Sequence, residues 1–184
     1  MEPTAAPAAR PVWDVVVRGI HWALAVACCA AWVTTSAALR WHEPVGYAAL
    51  ALVGLRFVWG FVGSRHARFA QFVRGPRATF AYAARRARGA APRYLGHNPL
   101  GAWMAVLLWA CVALLGLTGW LYSTDTFWGE PWLDRTHAVL GWSLLALVAL
   151  HVAGVVLTSW HHRENLVAAM FTGRKRAAQP LDVD

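Results

Sequence analysis

Charge is scarce in this chain, and negative charge scarcer still: 14% of the 184 residues are charged and only 9 are Asp or Glu. A soluble domain carries about 25% charged residues, so the composition excludes an ordinary water-exposed globule. Its long apolar runs contain no acid at all, which argues against a transporter built around midplane carboxylates. Cysteine is equally sparse. Cys28, Cys29 and Cys111 all lie inside apolar runs, two of them adjacent, so they read as small buried hydrophobes and not as a disulfide framework.

What is present is hydrophobic surface, 58% of the chain, together with 12 tryptophans. Four runs, at about 17–39, 44–63, 100–122 and 136–160, are long enough to cross a hydrocarbon core about 30 Å thick. The second is the shortest and is interrupted by Arg56. The first is too long for the core of a signal peptide and carries Arg18 before His21, so it is read as a retained span.

A net charge of +8 would suit a nucleic-acid partner, but its distribution follows topology instead. Eight arginines fall between residues 65 and 93, and Arg163, Arg174, Lys175 and Arg176 follow the fourth run. The other two connections hold little base. The positive-inside rule therefore expects a multi-pass membrane protein with both termini and the central loop in the cytoplasm. Tryptophans near the run ends, among them Trp13, Trp41, Trp59, Trp103, Trp120, Trp128, Trp132 and Trp160, read as an aromatic belt. Residues 1–12, rich in Ala and Pro, read as disordered, residues 13–172 as one membrane domain, and 173–184 as a basic, then polar tail. Residues 76–88 have the pattern of an amphipathic helix lying on the cytoplasmic surface.

His137 and His151 lie fourteen residues apart in the last run, about 3.9 helical turns, so they share a face and stand about 21 Å apart along the axis. Ionisable groups at such depth are rare and usually functional. Depth also matches them to partners: His42 with His137 near the outer side, His21 with His151 toward the cytoplasm. Two rings from different helices at equal height are what bis-histidine haem ligation needs, and helix bundles build cofactor sites this way. Gly46, Gly141, Gly154 and Ala25, three or four residues from these histidines, leave room for a porphyrin on the same helix faces. Hydrogen-bonding across a bundle is the plainer alternative. A zinc site is disfavoured, since no acid or thiol accompanies either pair. Covalent c-type attachment is excluded because no Cys-x-x-Cys-His occurs. Pro44 is expected to occupy a first helical turn, leaving His42 just outside regular helix.

A lone guanidinium in hydrocarbon is costly, and a haem propionate would supply the anion that Arg56 lacks. Arg18 is a second propionate candidate, with snorkelling to headgroups as the alternative for both. Among boundary histidines, His66 reads as merely solvated. His97, with Gly101 four residues on, is a reserve ligand, and His97, His161 and His162 are candidates for a quinone headgroup site.

Taken together, Arg18-x-x-His21-Trp22, His42-x-x-x-Gly46, Leu55-Arg56 with Trp59, Gly96-His97-Asn98-Pro99 and the His137/His151 pair resemble the bacterial cytochrome b561 and nickel–iron hydrogenase b-type cytochrome subunits, over about residues 11–175. The resemblance implies an all-α four-helix membrane bundle with two non-covalent b haems, one on His21 and His151 and one on His42 and His137. It implies electron transfer across the membrane between the quinone pool and a periplasmic redox protein such as a hydrogenase or a c-type cytochrome. An electron-transfer subunit is therefore expected ahead of a stand-alone enzyme. An oxidoreductase acting directly on quinol or superoxide is the alternative, and a non-haem transporter or assembly factor the second. Loop 123–135, with Asp125, Glu130, Asp134, Trp128 and Trp132, is the candidate docking surface, and a homodimer stays open.

Overall fold

The structure, a computed structural model, describes residues 9–184. Its helices are α1 (Val15–Ala37), α2 (His42–Val62), α3 (Phe69–Phe72), α4 (Pro76–Ala87), α5 (Pro99–Tyr122), α6 (Pro131–His162) and α7 (Leu166–Thr172). Four of them, α1, α2, α5 and α6, are long and apolar enough to cross a bilayer. The protein is an integral membrane protein.

Local sequence explains where these helices start. Asp14 caps α1, its Oδ1 accepting from Val17 N at 2.8 Å, while Oδ2 accepts from Trp59 Nε1 at 3.1 Å and from the Ser64 hydroxyl. One carboxylate thus ties the start of α1 to the end of α2. Asn98 caps α5 on Gly101 N at 2.8 Å, with Pro99 in the first turn as the sequence suggested. α2 begins at His42 itself, after a 3₁₀ turn at Leu39–Trp41, and Pro44 sits comfortably inside its first turn. His42 is therefore helical, contrary to the expectation drawn from Pro44.

The fourth helix differs most from its sequence-based bounds. It starts at Pro131, five residues before the apolar run, because a proline at the first position fits a helix start and Glu130 precedes it in extended conformation. Its 32 residues make a rod about 48 Å long, longer than the hydrocarbon core. The loop assigned to docking is shortened accordingly, since Pro131–Arg135 are helical.

α1 packs along α2, α2 along α5, and α5 along α6, whereas the backbones of α6 and α1 scarcely approach. Small side chains allow the first of these contacts: Ala27, Ala49, Val53 and Val112 form the buried centre, with Leu144 reaching it from α6. No residue in the apolar centre of α6 is fully buried.

The ends of the chain are the second departure. Of the segment expected to be disordered, residues 1–8 lie outside the described residues, but Arg10–Pro11 pair antiparallel with Arg174–Lys175. The tail does not leave the fold. Gly173, at φ 76°, turns the chain back after α7, and a Cβ there would lie 2.6 Å from Trp13 O. Val183 then bridges to Tyr94, and Asp184 pairs with Arg10 and Arg65 at 3.1 and 3.0 Å. The latch of this layer is Arg93, which donates to both oxygens of Glu164 (Nη2 at 2.6 Å, Nε at 3.1 Å) and to Asp182. Glu164 also accepts from Arg176 N at 2.9 Å. Acids of the tail and of the α6–α7 junction thus find arginines of the N-terminal strand and of the central loop, a pairing that composition does not reveal.

Candidate functional site

Two pairs of histidines face each other across the bundle at two heights. His21 on α1 and His151 on α6 have ring centroids 6.4 Å apart, with planes at 52°. His42 on α2 and His137 on α6 have centroids 6.0 Å apart, at 77°. Neither distance is a packing contact between stacked rings. With a metal–imidazole bond of about 2.0–2.1 Å and a ring radius of about 1.1 Å, two imidazoles on opposite sides of one metal have centroids about 6.2 Å apart.

The outer pair is oriented by its neighbours. His42 Nδ1 lies 2.9 Å from Ala31 O, and a carbonyl only accepts, so Nδ1 carries the proton. His137 Nδ1 lies 2.8 Å from Thr118 Oγ1, whose own hydrogen is directed to Leu114 O at 2.8 Å. The hydroxyl therefore accepts from His137 Nδ1. Both rings are left with an unprotonated Nε2, the tautomer that binds a metal, with the outer-shell bond that such ligands almost always make. Gly119 completes this arrangement, since a Cβ there would come within 3.4 Å of His137 Cε1. The inner pair is held by packing instead. Trp22 meets His21 edge-on at 4.9 Å and stacks on Phe171 at 4.3 Å, while His21 Nδ1 is buried without a hydrogen-bond partner.

Gly46 and Gly154 face open space with nothing within 4 Å of a built Cβ, as room for a flat ligand requires. Gly141 does not: Trp32 lies 3.6 Å from its Cβ position, so this glycine receives an indole.

Arg56 is 3% exposed and is not as lone as its depth suggested. Its guanidinium lies over Trp109 at 4.7 Å and beside Phe69 and Phe72, and Nη2 donates to Ala67 O at 2.9 Å. Nη1 remains buried without a partner. Arg18 donates through Nη1 to Phe171 O and so fastens α7 to α1, while its Nε is buried without a partner.

The boundary histidines part company. His66 is buried, 6% exposed, with Nε2 at 3.6 Å from Asp184, which corrects its reading as a solvated residue. His97 lies between Trp13 and Phe72, each at 4.7 Å. Burial, and then the charges of Lys175 and Arg56 and the nearby His151 and His21, push it down to about 3, so it is neutral at any ordinary pH. His161 and His162 pack edge-to-face on each other at 4.8 Å, and no ring contact or hydrogen bond joins them to His97. Trp13 and Trp59, read as belt residues, also make internal contacts, Trp13 with His97 and Trp59 with Asp14.

Thr118, Gly119 and Ala31 were not singled out from sequence. The only available signal was a hydroxyl beside a glycine in an otherwise apolar span. Among the described residues no cluster of three or more His, Cys, Asp or Glu forms, so each pair stands alone as two facing imidazoles. Such a site suits a metal that brings its own equatorial donors.

The family model described as prokaryotic cytochrome b561 matches residues 12–173. No curated protein and no solved structure matches the chain. With a match across nearly the whole chain and four apolar helices beneath it, the protein belongs to the prokaryotic cytochrome b561 family, the b-haem-binding membrane cytochromes of electron transfer.

Proposed function

We propose that the chain holds two b haems, an inner one on His21 and His151 and an outer one on His42 and His137, and carries electrons across a bacterial inner membrane. The observation that carries this reading is the pair of facing imidazoles at 6.0 and 6.4 Å, each close to the spacing of two axial ligands on one metal. The fit is supported by the free Nε2 on His42 and His137 and by the open faces at Gly46 and Gly154. Arg56, with its unpaired Nη1, fits a propionate of the inner haem.

When bound, the haems supply the one-electron chemistry, tuned by axial ligation and burial. The protein's residues do the rest. The fourteen-residue interval from His137 to His151 on one rigid helix sets the two sites about 21 Å apart along the axis. The arginines around α4 and the tail put the basic end in the cytoplasm, with both termini, and α4 lies at that surface with Phe80, 75% exposed, turned outward. The opposite end, with Asp125 and exposed Trp128 and Trp132, receives a periplasmic redox partner such as a hydrogenase or c-type cytochrome. A quinone serves as the second redox substrate, with His161 and His162 at the basic boundary as proton-exchanging groups.

The test is a dithionite-reduced minus oxidised spectrum with a pyridine-haemochrome count on detergent-purified protein. Two b haems per chain are expected, falling to one in His151→Ala and to one in His137→Ala. A colourless, well-folded protein would refute the reading.

A further inference from the structure

Lys175 is the most unusual charge in the molecule outside the spans. It sits on the strand that Gly173 turns back into the fold and is 6% exposed. Its ammonium faces Tyr94 O and Gly96 O at 3.4 Å each, long for hydrogen bonds, and lies 5.4 Å from the Trp13 ring. Among the described residues no carboxylate lies within ion-pair distance, because Glu164 and Asp182 are taken up by Arg93. Burial pushes Lys175 down to about 8, partly offset by the more distant Glu164 and Asp182. An isolated buried ammonium is costly unless paired.

Its surroundings name the missing partner. Lys175 faces the carbonyls on either side of Leu95, the Trp13 ring beside it packs against His97 at 4.7 Å, and α7, which leads to it, stacks Phe171 on Trp22, the chain neighbour of His21, at 4.3 Å. Two buried cations, Arg56 with an unpaired Nη1 and Lys175 with no acid paired to it among the described residues, therefore approach His97 through the rings that hold it, Arg56 over Phe72 and Lys175 over Trp13. An anionic ligand with two carboxylates at this end of the inner histidine pair would satisfy both.

We propose that Lys175, carried in by the folded-back tail, is a propionate partner of the inner haem, so that the C-terminal segment completes that haem's pocket. The proposal rests on the two-haem reading above. It adds to Arg56 and Arg18 a residue that the sequence pattern assigned to a loose tail.

The test is a potentiometric titration of both haems, with a haem count, in the full-length protein and in Lys175→Met, Lys175→Arg and Arg176→Met. Removing a nearby cation favours the oxidised haem. Lys175→Met should lower one midpoint by about a tenfold change in the one-electron equilibrium, ~59 mV. Lys175→Arg should restore most of it, and Arg176→Met, on the exposed neighbour, should change neither midpoint. Lys175→Met with two haems and both midpoints unchanged overturns the proposal and leaves the two-haem reading intact. A shift as large in Lys175→Arg as in Lys175→Met also overturns it, because the charge is then not what acts. Absence of haem from the unmutated protein refutes both readings together.

Discussion

Replacing Thr118 by valine probes the outer site without touching a ligand. Valine keeps the shape of threonine and removes the oxygen that accepts from His137 Nδ1 at 2.8 Å. Thr118 is 7% exposed, so water is poorly placed to take over, and the imidazole N–H is left buried without an acceptor. Such a group costs about 1–3 kcal/mol, or about 5- to 150-fold in an equilibrium constant. Loss of an outer-shell partner costs metal sites about 10–100-fold in affinity, so the two routes to the number agree. The hydroxyl's other bond, to Leu114 O, adds little, because that carbonyl keeps its place in the helix. The assay is haem loss to an excess of a haem-scavenging protein, followed in the Soret band in a His151→Ala background that retains only the outer haem. Thr118→Val should release haem about 10- to 100-fold more readily and Thr118→Ser should behave as the parent. Equal retention in Thr118→Val and the parent would refute the orientation argument.

Two further outcomes follow from the basic end. Breaking the buried Arg93–Glu164 pair with Glu164→Gln should cost about 3–5 kcal/mol in the stability of the folded-back tail, read by limited proteolysis of residues 173–184. Burial alone would raise the Glu164 carboxyl, but the Arg93 and Arg176 bonds outweigh it and hold it below the ordinary 4.5. Its contribution is thus full above that value and lost as pH falls through the lower folded value, so the parent tail should loosen in acid and the Gln variant should lose that dependence. Gly60→Ala should destabilise the protein by about 1–3 kcal/mol in a thermal scan, since the new methyl meets the ring of Phe69, which packs among Phe57, Phe61, Phe72 and Trp109 beneath Arg56.

Much of this protein is written in one dimension. Hydrocarbon accepts only backbone that satisfies itself, so apolar length alone identifies four helices. The 3.6-residue repeat puts His137 and His151 on one face, and depth from the run ends matches each to a partner on another helix. Those relations are local or depend on the membrane as a common ruler, and the facing rings at 6.0 and 6.4 Å agree with them.

The tail and the support of the ligands belong to another class. That Lys175 lies beside Trp13, that Arg93 bridges Glu164 and Asp182, and that Thr118 accepts from His137 depend on segments separated by between 19 and 162 residues in sequence. No periodicity carries such information. A basic tail reads as solvated because charge is cheapest in water, and only tertiary packing supplies the carbonyls and carboxylates that make burial tolerable. Hydropathy and helical period thus determined the spans, their order and the paired histidines, whereas close packing alone decided which neighbour orients each ring and where each buried charge finds its partner.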